Sequence, residues 1–83
     1  MSDAVLRGRI FAVIAARGEA GATDDEGESL LGVRSQSYTP RRGELSKCGM
    51  VVRASLRRRT ASGRMAAVWI IPGNKPGQEG SNQ

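Results

Sequence analysis

The sequence predicts an α+β domain in which three helices precede a two-stranded antiparallel β-hairpin. Apolar residues first recur at helical spacing, with Leu6, Ile10, Val13 and Ile14 separated by four, three and one. They later alternate in period two, through Met50, Val52, Ala54 and Leu56 and again across Met65–Ile71. Between these regimes, Gly18, Gly32, Gly49 and a Ser62-Gly63 pair punctuate the chain where elements should end or turn.

The first helix is expected from Asp3 to Arg17, its apolar stripe flanked by Val5 and Phe11, with Gly18 as the C-cap residue after a last-turn cation. Gly8 inside it costs about 1 kcal/mol relative to Ala. A second helix should begin at Thr23: its hydroxyl can accept from the third amide, Glu26 can reach back, and three carboxylates complement the positive helix end. It should stop at Gly32, with Gly27 a local weakness. The third helix is expected from Tyr38 to about Cys48, with Ser37 as its N-cap, because Pro40 is best tolerated within a first turn. Met50 to about Arg58 and Met65–Ile71 then form the strands. The Pro- and Gly-rich tail, 72–83, has no apolar anchor and is expected to be disordered, leaving 1–71 as the folded unit.

Composition excludes several function classes. Cys48 is the single cysteine and histidine is absent, so neither a disulfide framework nor an ordinary four-ligand zinc site can staple the fold. The missing histidine also removes the commonest general base and the arrangements that activate Ser or Cys. Five of the eight carboxylates crowd between Glu19 and Glu28, as at a solvated helix start. No catalysis, cofactor or small-molecule substrate is expected. No run of about 18 apolar residues occurs and the N-terminus lacks the features of a secretory signal. The expectation is therefore a cytoplasmic protein without membrane attachment.

The net charge of +5 conceals segregation. Residues 1–33 carry three arginines against six carboxylates, a net −3, whereas residues 34–64 carry eight arginines and one lysine against Glu44 alone, a net +8. So dense a block repels itself unless it meets a polyanion. Its preference for Arg over Lys suits forked hydrogen bonds to phosphate and guanine.

Three segments add a family resemblance. Thr23-Asp24-Asp25-Glu26, followed by Leu30-Leu31-Gly32-Val33, is one; Ser35 to Arg42 with Glu44-Leu45 and Gly49-Met50-Val51 is the second; Arg57-Arg58-Arg59-Thr60-Ala61-Ser62-Gly63-Arg64 with Met65–Trp69 is the third. In this order they resemble the second helix and turn, the recognition helix and the wing of the winged helix-turn-helix family, in its small bacterial and phage form. The resemblance covers about residues 3–71. It implies double-stranded DNA binding and a part in transcription regulation or DNA architecture. Many larger regulators have a further dimerisation helix or effector domain, which has no counterpart here.

With residues advancing about 100° around a helix, Tyr38, Leu45 and Cys48 should face the core. Gln36, Thr39, Pro40, Gly43, Ser46 and Lys47 then face outward as a groove-reading surface. Arg42 flanks that face and is expected to contact DNA, whereas Arg41 should lie along the protein and pair with Glu44. Arg34, Ser35 and Ser37 sit where phosphate contacts are common. In the wing, Arg57, Arg58, Arg59, Thr60 and Arg64 are candidates for backbone or minor groove, although strand alternation forbids all four arginines from reaching one groove. Trp69, Phe11 and Cys48 read as core residues. The chain is expected to be monomeric in solution and paired on DNA. Two rivals remain: a protein-interaction module using the same basic face on an acidic partner, and a binder of structured RNA.

Overall fold

The computed structural model describes residues 2–73, and its layout is the expected α+β one: three helices followed by an antiparallel hairpin. The elements are α1 Asp3–Ala16, a 3-10 turn Gly18–Ala20, α2 Asp24–Leu31, α3 Ser35–Lys47, β1 Val52–Arg59 and β2 Met65–Ile70. The arrangement is winged-helix-like, α3 following α2 after a short turn and the hairpin projecting as a wing. Pro72 and Gly73 are exposed. The rest of the tail expected to be disordered lies outside the described residues.

Leu6, Ile10 and Ile14 run down the buried side of α1, whose first turn is capped by the Ser2 hydroxyl accepting from the Val5 amide. The helix ends on Arg17 rather than Gly18, which instead opens the 3-10 turn. In α2 the expected capping box is present. Glu26 N–H donates to Thr23 Oγ1, and Thr23 N–H donates to Glu26 Oε1, each at 3.1 Å. Gly32 closes the helix in the left-handed region, φ 69°. These paired caps satisfy backbone groups that an eight-residue helix has few other means to cover.

The third helix departs from expectation at its start. It begins at Ser35, with extended Arg34 as N-cap, and the Ser37 and Tyr38 amides both donate to the Arg34 carbonyl at 3.0 and 2.9 Å. Ser37 is therefore inside the helix, and Pro40 is its sixth residue rather than a first-turn residue. Proline there removes the amide that would meet the Gln36 carbonyl, on an exposed part of the helix. In return, the earlier start places Tyr38 fully inside, packed over Gly27 of α2. Burying a large aromatic, worth about 1.5–3 kcal/mol, outweighs one solvated backbone hydrogen bond, worth about 0.5–1.5 kcal/mol.

The strands pair with Val52 opposite Ile70, Arg53 opposite Trp69, Arg57 opposite Ala67 and Arg59 opposite Met65. Between the Arg53 and Arg57 pairs, three residues of β1 oppose Val68 alone, so β1 carries a bulge and bends. This breaks the simple alternation expected for β1. Ala54 is buried, but Met50 precedes the strand and both Met50 and Leu56 are exposed. On its other edge β2 gains a contact that the sequence did not announce: Ala22 and Trp69 exchange backbone hydrogen bonds, both 2.9 Å. Gly21 makes this approach possible. Its φ is 61°, and a Cβ there would lie 2.5 Å from the Trp69 carbonyl oxygen.

The main core joins Leu6, Ile10 and Ile14 to Ala22, Tyr38, Leu45 and Val51, with Phe11 and Trp69 packed at its margin. A second cluster, Ala54, Val68 and Ile70, lies within the hairpin. Cys48, expected inside, is exposed beyond the end of α3.

Candidate nucleic-acid interface

Helix α3 and the wing face each other across an open groove of about 520 Å³. Ser35, Thr39 and Arg42, at steps of four and three along α3, line one side; Thr60, Ser62 and Arg64 line the other, with Trp69 between them. The spacing follows from the helical period, which puts these three α3 residues on the stripe turned toward the wing. Asp25 and Glu28 of α2 form an acidic flank, and Glu28 is held by a 2.9 Å hydrogen bond from the Ser35 hydroxyl. Neither carboxylate was a candidate in the sequence, because the groove brings α2 beside the wing only through tertiary packing.

The arginines divide into two sets. In the first, Arg42 donates to both oxygens of Asp24, Nε to Oδ1 at 2.9 Å and Nη2 to Oδ2 at 2.7 Å, while its guanidinium lies 4.1 Å from the Trp69 ring centroid. Its side chain is only 14% exposed. The expectation that Arg42 points outward is thus corrected: a carboxylate from another helix and an aromatic face draw it inward. Arg41 pairs with Glu44, as expected, and also with Asp3 at 2.6 Å. Glu44 in turn holds Arg7, so it serves as the internal partner anticipated for it.

Arg58 belongs to the same set. Its Nε and Nη2 donate to the two oxygens of Glu26, both at 2.8 Å, and Nη2 also reaches the carbonyls of Ala20 and Gly21. Glu26 additionally receives Arg17 at 3.1 Å. The hydrogen bond from Arg58 does most to hold the Glu26 carboxyl below its ordinary range, helped by the Thr23 amide and the charges of Arg58 and Arg17 against the opposing effect of burial.

The second set is Arg9 on α1 and, within the basic block, Arg34, Lys47, Arg53, Arg57, Arg59 and Arg64, all exposed and, among the described residues, without a carboxylate in ion-pair range. Residues paired across a ladder share a face. Arg57 and Arg59 therefore lie on the side of Ala67 and Met65; neither arginine lines the groove itself, whose wing side is Thr60, Ser62 and Arg64 with the stretch Met65, Ala66 and Ala67. Arg58, one residue out of phase, takes the opposite side. Arg53 joins this set through its pairing with Trp69, a placement that needed the register. At the tip, Thr60 N–H donates to the Arg64 carbonyl at 2.8 Å and Arg59 Nη1 to the Gly63 carbonyl at 2.8 Å, which hold the turn closed.

Along α3, Gln36, Ser37, Thr39 and Lys47 are exposed, while Gly43 is half-buried with open space where a Cβ would stand. Thr60 is half-buried, its hydroxyl 3.0 Å from that of Ser62. No group of three potential metal ligands occurs among the described residues, and none of their helices is long and apolar enough to cross a membrane. No family model matches the chain, and no curated protein or solved structure matches it significantly, so the functional reading rests on the chemistry of these side chains.

Proposed function

We propose that this protein binds double-stranded DNA, with the exposed side of α3 in the major groove and the wing against the adjacent backbone or minor groove. The observation that carries this reading is the division of the arginines. Those facing the body are matched by carboxylates, whereas Arg57, Arg59 and Arg64 of the wing and Arg34 and Lys47 at the two ends of α3 remain available to phosphate. Gln36 and Thr39 offer polar groups for base edges, and the open space at Gly43 lets a backbone approach. The role in this reading is regulatory or architectural, exercised by binding and without chemistry, in the cytoplasm of a bacterial or phage-infected cell. Pairing of two copies on adjacent half-sites suits it.

Fluorescence anisotropy on duplexes selected from a random pool tests the proposal. With about six phosphates contacted, affinity should fall roughly a thousandfold between about 50 and about 200 mM salt. Arg57→Ala and Arg59→Ala should each weaken binding. A salt-independent affinity, or variants that leave duplex binding intact while abolishing capture of an acidic protein partner, would overturn it in favour of a protein-interaction module. Preference for duplex RNA of the same sequence would redirect it to RNA.

A further inference from the structure

We infer that Arg58 is a positioning residue: it sets the roll of the hairpin and thereby holds Arg57 and Arg59 on the exposed face opposite its clamp on Glu26, without itself touching the polyanion. The identity of the ligand rests on the DNA reading above, but the positioning is a property of the free protein. Three consecutive arginines in a strand point alternately, so fixing the middle one dictates where its neighbours go. Arg58 is fixed by Glu26 on both carboxylate oxygens and by the carbonyls of Ala20 and Gly21 at 3.0 and 3.1 Å.

The location of this clamp matters as much as its strength. The first two helices and the 3-10 turn pack on β2, while the extensive contacts of β1 are with β2 alone. The bulge interrupts the ladder between Arg53 and Arg57, so regular pairing from the base of the hairpin does not carry through to its tip. Arg58 lies beyond the interruption, in the distal segment that carries Arg57, Arg59 and Arg64. There it ties that segment back to the start of α2. A bent two-stranded ribbon twists readily, and a forked guanidinium on a carboxylate resists rotation where a single point charge would not.

Amide hydrogen exchange of the DNA-free protein is the first test. In Arg58→Lys and Arg58→Ala, amides of residues 57–67 should exchange faster while those of α1 and α3 stay unchanged. Unchanged hairpin exchange overturns the inference, whatever the protein binds. The second test is the salt dependence of duplex affinity. Arg57→Ala should lower the slope of log K against log salt by about 0.9, the loss of one phosphate contact. Arg58→Lys, although it keeps the charge, should lose about tenfold in affinity and lower the slope by about 0.9 or more, because the wing arginines it positions no longer reach phosphate. Wild-type affinity in Arg58→Lys together with a reduced slope in Arg58→Ala would make Arg58 a phosphate contact and overturn the inference. Third, Arg59→Ala should lose most of its effect when Arg58 is already Lys; full additivity overturns the inference as well. If the wild-type protein fails to bind duplex DNA, the DNA reading falls, and hydrogen exchange alone decides the role of Arg58.

Discussion

Tyr38 fills the space in which a side chain at Gly27 would have to stand: a Cβ there would overlap its ring and hydroxyl. The contact joins α2 to α3 and accounts for a glycine in the middle of a short helix. Gly27→Ala should therefore destabilise the fold by about 1–3 kcal/mol in denaturant unfolding, although alanine alone favours a helix by about 1 kcal/mol. A stabilised Gly27→Ala protein would show that Tyr38 can move aside cheaply.

The Tyr38 hydroxyl has no hydrogen-bond partner among the described residues, and burial pushes its pKa well above the ordinary value. Tyr38→Phe removes a buried polar group that gains nothing in return. The expected change lies between neutral and a stabilisation of about 1 kcal/mol by thermal unfolding. A loss above about 2 kcal/mol would reveal a partner for the hydroxyl.

Glu26 links stability to pH. Its folded-state pKa lies below the ordinary value of 4.5, chiefly through the Arg58 hydrogen bond, so the ionised form favours the folded state. That contribution is complete above about pH 4.5 and disappears as pH falls through the lowered folded value. Thermal unfolding of Glu26→Gln, which can keep the capping box, should show a shallower decline below pH 4.5 than the wild type. At neutral pH the variant should be less stable by about 1 kcal/mol. Parallel acid profiles would remove Glu26 from the account.

Arg42 should behave as a structural residue in spite of its place in the basic block. Arg42→Ala strands Asp24 and uncovers Trp69, and should cost on the order of 2 kcal/mol together with a shift in tryptophan emission. Arg42→Lys keeps a charge but neither the fork nor the stacking, and should recover less than half of that loss. A fully stable Arg42→Lys protein would mean that charge alone suffices at this position.

Much of this molecule is legible in its residues where the governing interaction is local. The capping box of Thr23 and Glu26, the stop at Gly32 and the Arg41–Glu44 pair all span four residues or fewer, and each follows from spacing. The start of α3 is not legible in this way, because the local rule for Pro40 competes with burial of Tyr38 on another helix. The inward turn of Arg42 and Arg58 escapes for the same reason: their partners, Asp24 and Glu26, lie in the acidic segment, so charges that look segregated along the chain meet across the fold. The face shared by Arg57 and Arg59 becomes visible only with the strand register, and the bulge hid that register behind an apparent alternation.

The reciprocal hydrogen bonds between Ala22 and Trp69 also bear on how the chain reaches its native state. They tie the connection after the first helix to the last strand, a closure that takes in nearly all the chain between them. The entropic penalty of such a ring is smaller once α2 and α3 have shortened the path between its ends. A fragment ending before the hairpin would leave Gly21 and Ala22 with an open backbone edge and part of the core of α1 uncovered. The helical part and the wing should therefore unfold in a single cooperative transition, with no autonomous three-helix species.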